Sequence, residues 1–378
     1  MSKSNYERGI MEKEIITLKQ SVTILVIFIL GSSVILGVGS EAGQDAWIAI
    51  LIAMITAVPF VYVYSRILSN FPGKDLYEIL MDVFGNIFGR IMIFLFVWFS
   101  FHLGALVIRN FTEFIKIVSL PETPQYVIAI LMVLSCIWAV KSGIEVLGRW
   151  SSVIFPIIFI VTIVVTFLFI PHIKLKHIKP ILYDGIRPVL NSAFTTFAFP
   201  FAETVIFTSV LNNLKNKNDT FKAYFIGLII GGTMILFMTI RDIVTIGIEN
   251  ISIMYFPAYT SLRLINVADF LQRIEVAVGV VFLFGGFVKI SVCLYSATKG
   301  FARIFNLDDY KQIAAPVGLL MMILSIIVYK DTMEMFYWAS NIYKYYAMPF
   351  EIILPLFTLI VSEVKIRLVK RKASGGDK

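Results

Sequence analysis

Ten apolar stretches follow one another along the 378-residue chain, separated by short polar or basic segments. A helix needs roughly 20 apolar residues to cross a bilayer, and each stretch is close to that length. The pattern therefore predicts an all-α integral membrane protein with ten transmembrane helices. The predicted spans are residues 21–39, 47–67, 91–117, 125–140, 152–170, 191–211, 223–246, 274–298, 313–329 and 345–364.

Two of the predicted spans contain residues that interrupt a helix. In the sixth, Pro200 removes a backbone donor and Glu203 follows within one turn. In the first, Gly31 lets the backbone unwind, and Ser32 and Ser33 can hydrogen-bond the freed groups. Backbone freed at membrane depth must line a cavity or a protein interior, so both breaks are candidate binding sites. A proline kink and close helix packing are the plain structural alternatives.

The composition excludes a soluble protein and makes a nucleic-acid partner unexpected. Hydrophobic residues make up 58% of the chain and the mean hydropathy is +0.85, whereas soluble domains are about 45–50% apolar. The net charge is +8, but the basic residues lie in short loops and in the tail. That placement favours a role in membrane topology over binding to nucleic acid.

The sequence lacks the motifs that several kinds of chemistry require. The chain has neither a Walker phosphate loop nor a nucleophile elbow, so we expect no ATP-driven pump, no hydrolase and no cofactor. His102, His172 and His177 have no histidine or cysteine partners at ligand spacing, so no metal site is predicted. Cys136 and Cys293 lie inside apolar stretches, where packed thiols are expected rather than a disulfide.

An even number of spans places both termini on one side of the membrane, and the positive-inside rule assigns that side to the cytoplasm. The segment after the fifth span is an exception to the positive-inside rule, because it is basic although it falls on the outer side. It is expected to be a solvated loop or a surface that contacts lipid headgroups or a partner. A single transmembrane domain is predicted. Its parts are a first repeat at about 17–170, a linker at about 171–190, a second repeat at about 191–364 and a basic, disordered cytoplasmic tail at 365–378.

The two interrupted helices occupy corresponding positions when the chain is divided after the fifth span. Such paired interruptions indicate an inverted repeat of five plus five helices with a binding site near the midplane. Amides after a break suit a carboxylate, and carbonyls before it suit an ammonium group, so an amino acid is the predicted ligand. The predicted ligand-binding residues are Gly31, Ser32, Ser33, Ala198, Phe199, Pro200, Phe201, Glu203 and His102.

Three charged residues in the spans have alternative explanations. Arg109 and Glu113 are four residues apart on the third span, where they form either a mutually neutralising pair or a gate above the pocket. Glu203 follows Pro200 at the start of a half-helix. It either caps the free amides there or contributes its charge to function.

Short motifs spread over residues 17–214 resemble the spore germination B-subunit family, the amino-acid-permease-like component of nutrient germinant receptors. The family lies within the amino acid–polyamine–organocation superfamily. The motifs are ITLKQ, GSSVIL, AGQDAWIAILIA, FPGKDLYEIL, FGNIFGRI and PFAE, of which AGQDAW and PFAE are the most specific. The family usually has glycine where Ala202 stands, which implies a smaller pocket or a stiffer kink here.

The resemblance implies a leucine-transporter-like fold and a place in the inner membrane of a spore. It also implies partnership with an A subunit and a lipoprotein C subunit, and sensing of a small nutrient such as an amino acid. Two functions stay open at this point. One is a receptor subunit whose ligand shifts a conformational equilibrium; the other is a proton-coupled amino acid transporter, which needs the same pocket.

Lys289 lies near the middle of the eighth span, too deep for easy snorkelling, with Gly285 and Gly286 one turn before it. In the fold that the resemblance implies, the contact between the first and eighth helices often holds a sodium ion. We hypothesise that Lys289 replaces that cation near Gly31 and couples protonation to the conformational equilibrium, because burial disfavours a charged group. The alternative is a fixed ion pair with Glu203, Glu113 or Asp242.

Overall fold

The computed structural model describes residues 14–251, 254–264 and 274–374. Ten helical segments within this part of the chain are long and apolar enough to cross a membrane, which confirms the predicted number of spans. In chain order, spans 1 to 10 are Leu18–Leu36, Ser40–Asn70, Leu76–Val118, Gln125–Ser142, Ile144–His172, Ile186–Ser209, Lys217–Ile246, Ile274–Ile304, Tyr310–Ile327 and Thr332–Leu368. The residues before position 14 and the last four residues of the predicted tail lie outside the described ranges.

Span 1 begins with a capping box and bends at the predicted break. Thr17 and Gln20 exchange hydrogen bonds between side chain and backbone, which satisfies two free amides at the helix start. Gly31 departs from helical geometry, with φ −12° and ψ −107°. The helix ends at Gly37, whose φ of 75° lies in the left-handed region that favours glycine.

Three helical segments begin well before the apolar stretches that predicted them. The helical segment of span 3 begins at Leu76, after a capping box at Asp75, and kinks at Gly85, where φ is 76° and ψ is −171°. The helix that follows this kink starts close to the predicted residue 91. Span 5 begins at Ile144 instead of residue 152. Span 10 begins at Thr332 instead of residue 345, and its last helix continues to Ser374, so the first ten residues of the predicted disordered tail are helical. The side chains of Asp75 and Asp331 cap the starts of the helical segments of spans 3 and 10, and an apolar pattern does not detect such polar caps.

The spans divide into an interior group and a lipid-facing group. In spans 1, 3, 6 and 8 at least 72% of the residues in the most apolar window are buried, against 22% in span 5. Span 5 exposes Ile157, Ile160 and Phe167, as expected for a helix against lipid. Span 7 packs closely on span 1, since a Cβ added to Gly231 would lie 3.0 Å from Ile29.

The side that carries the chain termini, here the terminal side, is closed by the segment before span 1. Ile16 forms a short parallel β-bridge with Leu214, and its backbone amide donates to the carbonyl of Asn213 at 2.9 Å. The Glu14 carboxylate accepts a hydrogen bond of 2.7 Å from Tyr310. These contacts tie the first described residues to the loop after span 6 and to the start of span 9. The opposite side of the membrane is called the distal side below.

Candidate functional site

The second interruption lies in span 6, at the predicted proline. Phe197–Phe201 form a wide π-helical turn in which Phe199 is non-helical, with φ −125° and ψ 114°. Ala202–Ser209 continue as a tighter 3₁₀-helix. Pro200 has no amide hydrogen to donate, so regular α-helical pairing cannot pass through this point. The change of helix type places Glu203 in the first turn of the second half of the span.

Glu203 is the centre of a buried group of three side chains, here the central triad, with Lys289 and Tyr343. The Oε2 of Glu203 lies 2.5 Å from the Nζ of Lys289, and both side chains are fully buried. Its Oε1 accepts a hydrogen bond of 2.6 Å from the Tyr343 hydroxyl. The structure thus pairs Lys289 with Glu203, one of the three acids considered for it, and adds a tyrosine from span 10. Coupling of Lys289 protonation to the conformational equilibrium stays a prediction.

Lys289 also contacts the break of span 1. A Cβ added to Gly31 would lie 2.7 Å from the Cδ of Lys289, so the lysine stem fills the space beside the glycine. A Cβ on Gly285 would lie 3.4 Å from the Cα of Gly31, which reflects the predicted close approach of spans 1 and 8. The ammonium group lies 4.9 Å from the ring centroids of Phe28 and Phe199, within cation–π range. Lys289 thus joins spans 1, 6 and 8.

Neither the acids nor the cysteines of the described residues are arranged as a metal site. No group of three or more His, Cys, Asp or Glu side chains in this part of the chain could hold a metal ion. Cys136 and Cys293 are free, buried thiols, as predicted. The cation at the junction of spans 1, 6 and 8 is the Lys289 ammonium group.

A small cavity of about 20 Å³ lies beside the central triad. Ser32, Phe199 and Glu203 of the predicted site line it, together with Asn110 from span 3 and Trp338 from span 10. The Oγ of Ser32 is buried and has no hydrogen-bond partner among the described residues. The volume is close to that of about one water molecule, so this conformation is closed around the site.

Two further cavities continue from the small one toward the distal side. The nearer has about 60 Å³ and shares Leu36 and Phe199 with it. The farther has about 390 Å³, shares Leu36 and Phe336 with the nearer one and includes Ser33. Small-molecule sites usually have about 300–1,000 Å³, so the farther cavity is large enough for a ligand. Each cavity shares lining residues with the next, and the three together are called the route below.

Several residues of the predicted site do not line the central cavity. Ala198, Pro200 and Phe201 are buried in the π-helical turn and stand outside its lining. Gly31 borders a different small cavity, between spans 1, 5, 7 and 8. Gly286 lies against span 3, because a Cβ there would come within 2.7 Å of the Phe111 ring. These residues shape the backbone and the packing around the break.

His102 lies in an aromatic cluster and not at the cavity. Its ring centroid is 5.5 Å from that of Trp98 and 5.0 Å from that of Tyr346. The next residue, Leu103, does line the cavity, and so does Trp338, whose ring centroid is 5.7 Å from that of His102. The histidine therefore borders residues that line the cavity but does not line it itself.

Arg109 and Glu113 form the predicted i, i+4 ion pair, at 2.9 Å and almost fully buried. Arg109 also donates to the backbone carbonyl of Ile326 at 3.0 Å. Glu113 accepts hydrogen bonds from Gln125 at 3.2 Å and from Thr332 at 3.1 Å. The pair thus ties span 3 to the starts of spans 4 and 10 and to the end of span 9 at the distal side. The alternative role of the pair as a gate stays a prediction.

Three residues near the site, Tyr343, Asn110 and Glu351, are absent from the predicted set. Tyr343 precedes the predicted start of span 10, so the apolar pattern assigns it to a loop. Asn110 is a polar residue inside an apolar stretch, a signal that could have found it. Glu351 follows Pro349 and Phe350, a proline–phenylalanine–acid pattern close to that of Pro200 to Glu203. This similarity between spans 6 and 10 is readable from the sequence.

Comparison with known proteins shows the family to which the chain is related. The Spore_permease family model, described as spore germination protein, matches residues 15–333. Spore germination protein KB of Bacillus subtilis (strain 168) is 32% identical over 375 residues, which cover 97% of this chain and 99% of that protein. Spore germination protein XB of Bacillus anthracis is 23% identical, with coverage of 79% of this chain and 82% of that protein.

Two solved transporter structures resemble the fold. Mhp1, a nucleobase-cation-symport-1 family transporter with bromovinylhydantoin bound, has a TM-score of 0.65 and 12% identity, covering 91% of this chain and 78% of its own. MhsT in complex with L-phenylalanine has a TM-score of 0.64 and 12% identity, covering 92% and 98%. At such identity the likeness concerns the fold alone. It confirms the predicted leucine-transporter-like architecture with interrupted spans 1 and 6.

Proposed function

The chain belongs to the spore germination protein family, and from that premise we propose that it is the membrane subunit of a nutrient germinant receptor. It binds a small nutrient, in chemical class an amino acid, beside the central triad, and binding triggers germination. The A and C subunits of the receptor are its partners, in the inner membrane of a spore with both termini in the cytoplasm. Its role is binding rather than catalysis.

The observation that carries this proposal is the Ser32 hydroxyl. It is fully buried, it lines the cavity between the two broken spans, and it has no hydrogen-bond partner among the described residues. A buried polar group without a partner is unfavourable by about 1–3 kcal/mol, which a ligand's polar group can recover. The carboxylate of an amino acid suits this hydroxyl and the amides that follow the Gly31 break.

The route of three cavities supplies the switch that a receptor needs. The central cavity is too small for an amino acid, so binding requires that Phe199 or Trp338 move away from Ser32. A ligand shifts such an equilibrium by its differential affinity for the two states, and only the wider state accommodates it. The nutrient therefore favours the wider state, and the partner subunits respond to that change.

The sharpest test replaces the Ser32 hydroxyl. Ser32→Ala should leave the stability of the ligand-free protein unchanged or slightly higher, because it removes an unsatisfied polar group. It should weaken binding of the best ligand from a panel of amino acids, sugars and nucleosides by about tenfold, measured calorimetrically on purified protein. The matched control is Ser135→Ala on the exposed face of span 4, whose hydroxyl bonds its own helix at Leu131. Unchanged affinity in Ser32→Ala would contradict the proposed site.

A proton-coupled amino acid transporter is the second candidate. It is favoured by the combination of a closed terminal side and a cavity route to the distal side, the arrangement of one half of an alternating-access cycle. Flux into liposomes separates the two functions. Steady uptake of the bound amino acid, driven by a proton gradient, would support transport. Saturable binding without flux would support sensing.

A further inference from the structure

Glu351 is a second carboxylate in the membrane interior, and the proposed function does not use it. It is fully buried and lies in the π-helical turn Pro349–Ile353 of span 10. Neither carboxylate oxygen has a hydrogen-bond partner among the described residues. Its backbone carbonyl accepts a hydrogen bond of 2.6 Å from Tyr64. Wide turns within helices frequently mark functional sites, and this one directs a free acid into the interior.

The groups around Glu351 are predominantly uncharged. Among the described residues, the charged groups that act electrostatically on it are Glu203 on span 6 and Lys289 on span 8. Span 3 packs Phe99 on the neighbouring Phe350. The other titratable groups nearby are Tyr64 on span 2, Tyr343 and Tyr346 on span 10, and, in contact with Tyr346, His102 on span 3.

The charge balance of this interior requires one more positive charge if Glu351 is ionised. Lys289 is already paired with Glu203 at 2.5 Å, so the two charges of that pair cancel. An ionised Glu351 would stand as an isolated carboxylate in an apolar medium, which is strongly unfavourable. A metal cation would need several oxygen ligands, and the described residues contain no group of three or more His, Cys, Asp or Glu side chains that could hold one. A proton needs only the carboxylate itself.

We propose that Glu351 is a proton-binding site, occupied when the central cavity is closed and emptied when it opens. In the step, the carboxylate takes a proton from a hydronium ion, which leaves neutral carboxylic acid and water; opening reverses it. This assigns proton coupling to span 10 instead of Lys289, whose ammonium is held by Glu203. The proposal does not rest on the identity of the nutrient, and its test uses protein without nutrient.

Infrared spectroscopy tests the protonated state directly. Full-length protein in lipid nanodiscs should show the carbonyl stretch of a buried carboxylic acid, and Glu351→Gln should lose it. Glu363→Gln is the matched control, because Glu363 lies on the same span but pairs with Arg66 near the surface. Persistence of the band in Glu351→Gln would overturn the proposal.

The coupling is tested by labelling a reporter cysteine. Ser340→Cys lines the cavity of about 60 Å³, so its reaction with a thiol reagent reports opening, and Cys136 and Cys293 are buried. If closure binds one proton, the closed-to-open ratio should fall by up to about tenfold per pH unit as the pH rises. In the Glu351→Gln background this dependence should disappear, which also controls for the pH dependence of the thiol.

Three outcomes would refute the coupling. One is an equal pH dependence of labelling in the Ser340→Cys protein with and without the Glu351→Gln substitution. Another is a change in labelling that depends on sodium rather than potassium and is abolished by Glu351→Gln, since the ligand would then be a metal cation. The third is loss of folding in Glu351→Gln while Glu351→Asp folds, because glutamine has the shape and neutrality of the protonated acid.

Discussion

Two buried lysines, each near a glutamate, lie in regions of the molecule that behave differently. Lys289 stands at the middle of span 8, 2.5 Å from Glu203, with both side chains fully buried. Lys344 stands on span 10 nearer the distal side, 3.5 Å from Glu41, whose side chain is 22% exposed. The first pair is a tight contact without water access, and the second is a loose one at an edge.

The neighbours of the two lysines differ more than the distances do. Lys344 donates to the side-chain oxygens of Asn191 at 2.9 Å and of Thr195 at 3.0 Å. These two residues also donate to Glu41, at 2.6 Å and 3.0 Å, so the carboxylate has partners besides the lysine. Together, Glu41, Lys344, Asn191 and Thr195 form the distal cluster. In the central triad, by contrast, Glu203 has only Tyr343 besides its lysine among the described residues.

The comparison indicates which contact is able to open. Removing Lys289 would leave a buried carboxylate with one neutral partner, whereas removing Lys344 leaves Glu41 solvated and hydrogen-bonded. The distal cluster also joins span 10, the first half of span 6 and the first turn of span 2, and Glu41 and Thr195 line the cavity of about 60 Å³. We infer that the central triad holds the two breaks together and that the distal cluster closes the route above them.

The largest effect is expected from breaking the central triad. Lys289→Met should destabilise the protein by about 3–5 kcal/mol, because it leaves Glu203 as an uncompensated buried charge. The double variant Lys289→Met with Glu203→Gln should recover most of that loss, since the neutral amide still accepts the Tyr343 hydrogen bond. Thermal unfolding in lipid nanodiscs measures both. A single variant as stable as the parent would show that the pair contributes nothing to folding.

The central triad also shows what could be predicted from the sequence. Proline, a glycine–serine–serine run and charges inside apolar stretches are local signals, so the breaks, Glu203 and Lys289 could all be identified. Which acid pairs with Lys289 depends on the packing of spans 6 and 8, and three candidates stayed open. The size of the cavity depends on how Phe199 and Trp338 pack, which no pattern along the chain records.

The distal cluster could not be predicted, for a different reason. Span 10 begins where the Asp331 side chain caps the backbone amide of Glu334. The segment that follows mixes aromatic and polar residues, so it does not stand out as an apolar stretch. The predicted start at residue 345 therefore excludes both Lys344 and Tyr343. Glu41 lies in a predicted loop, where an acid gives no signal. Apolar patterning finds the apolar part of each span, whereas Tyr343, Lys344 and Glu41 lie in helical segments that the pattern assigns to loops.

A second prediction separates packing from charge in the central triad. Gly31→Ala places a Cβ about 2.7 Å from the Cδ of Lys289 while it leaves every charge in place. Overpacking of this kind should destabilise the protein by about 1–3 kcal/mol and reduce nutrient binding, while membrane insertion is retained. Gly279→Ala is the control on span 8, because its Cβ would find the nearest atom, in Tyr259, at 3.8 Å. Equal melting temperatures for the two variants would mean that the Lys289 side chain moves aside for the added methyl group without loss of stability.

A smaller effect on stability is expected at the distal cluster, although the effect on opening should be the clearest there. Lys344→Met should lower stability by about 1 kcal/mol, because Glu41 keeps its hydrogen bonds from Asn191 and Thr195. It should raise the rate at which a thiol reagent labels Ser340→Cys. Raised salt should reproduce part of this increase in the parent, since partly exposed charges are screened and fully buried ones much less.

The surface pair of Arg66 and Glu363 provides the reference for that last prediction. Its side chains are 46% and 27% exposed, so Arg66→Gln should change stability by less than about 1 kcal/mol. It lies near the terminal side and should leave the labelling of Ser340→Cys unchanged. If Lys344→Met behaves like Arg66→Gln in both measurements, the distal cluster does not close the route. If Lys344→Met loses as much stability as Lys289→Met, the distal cluster stabilises the fold and does not act as a gate.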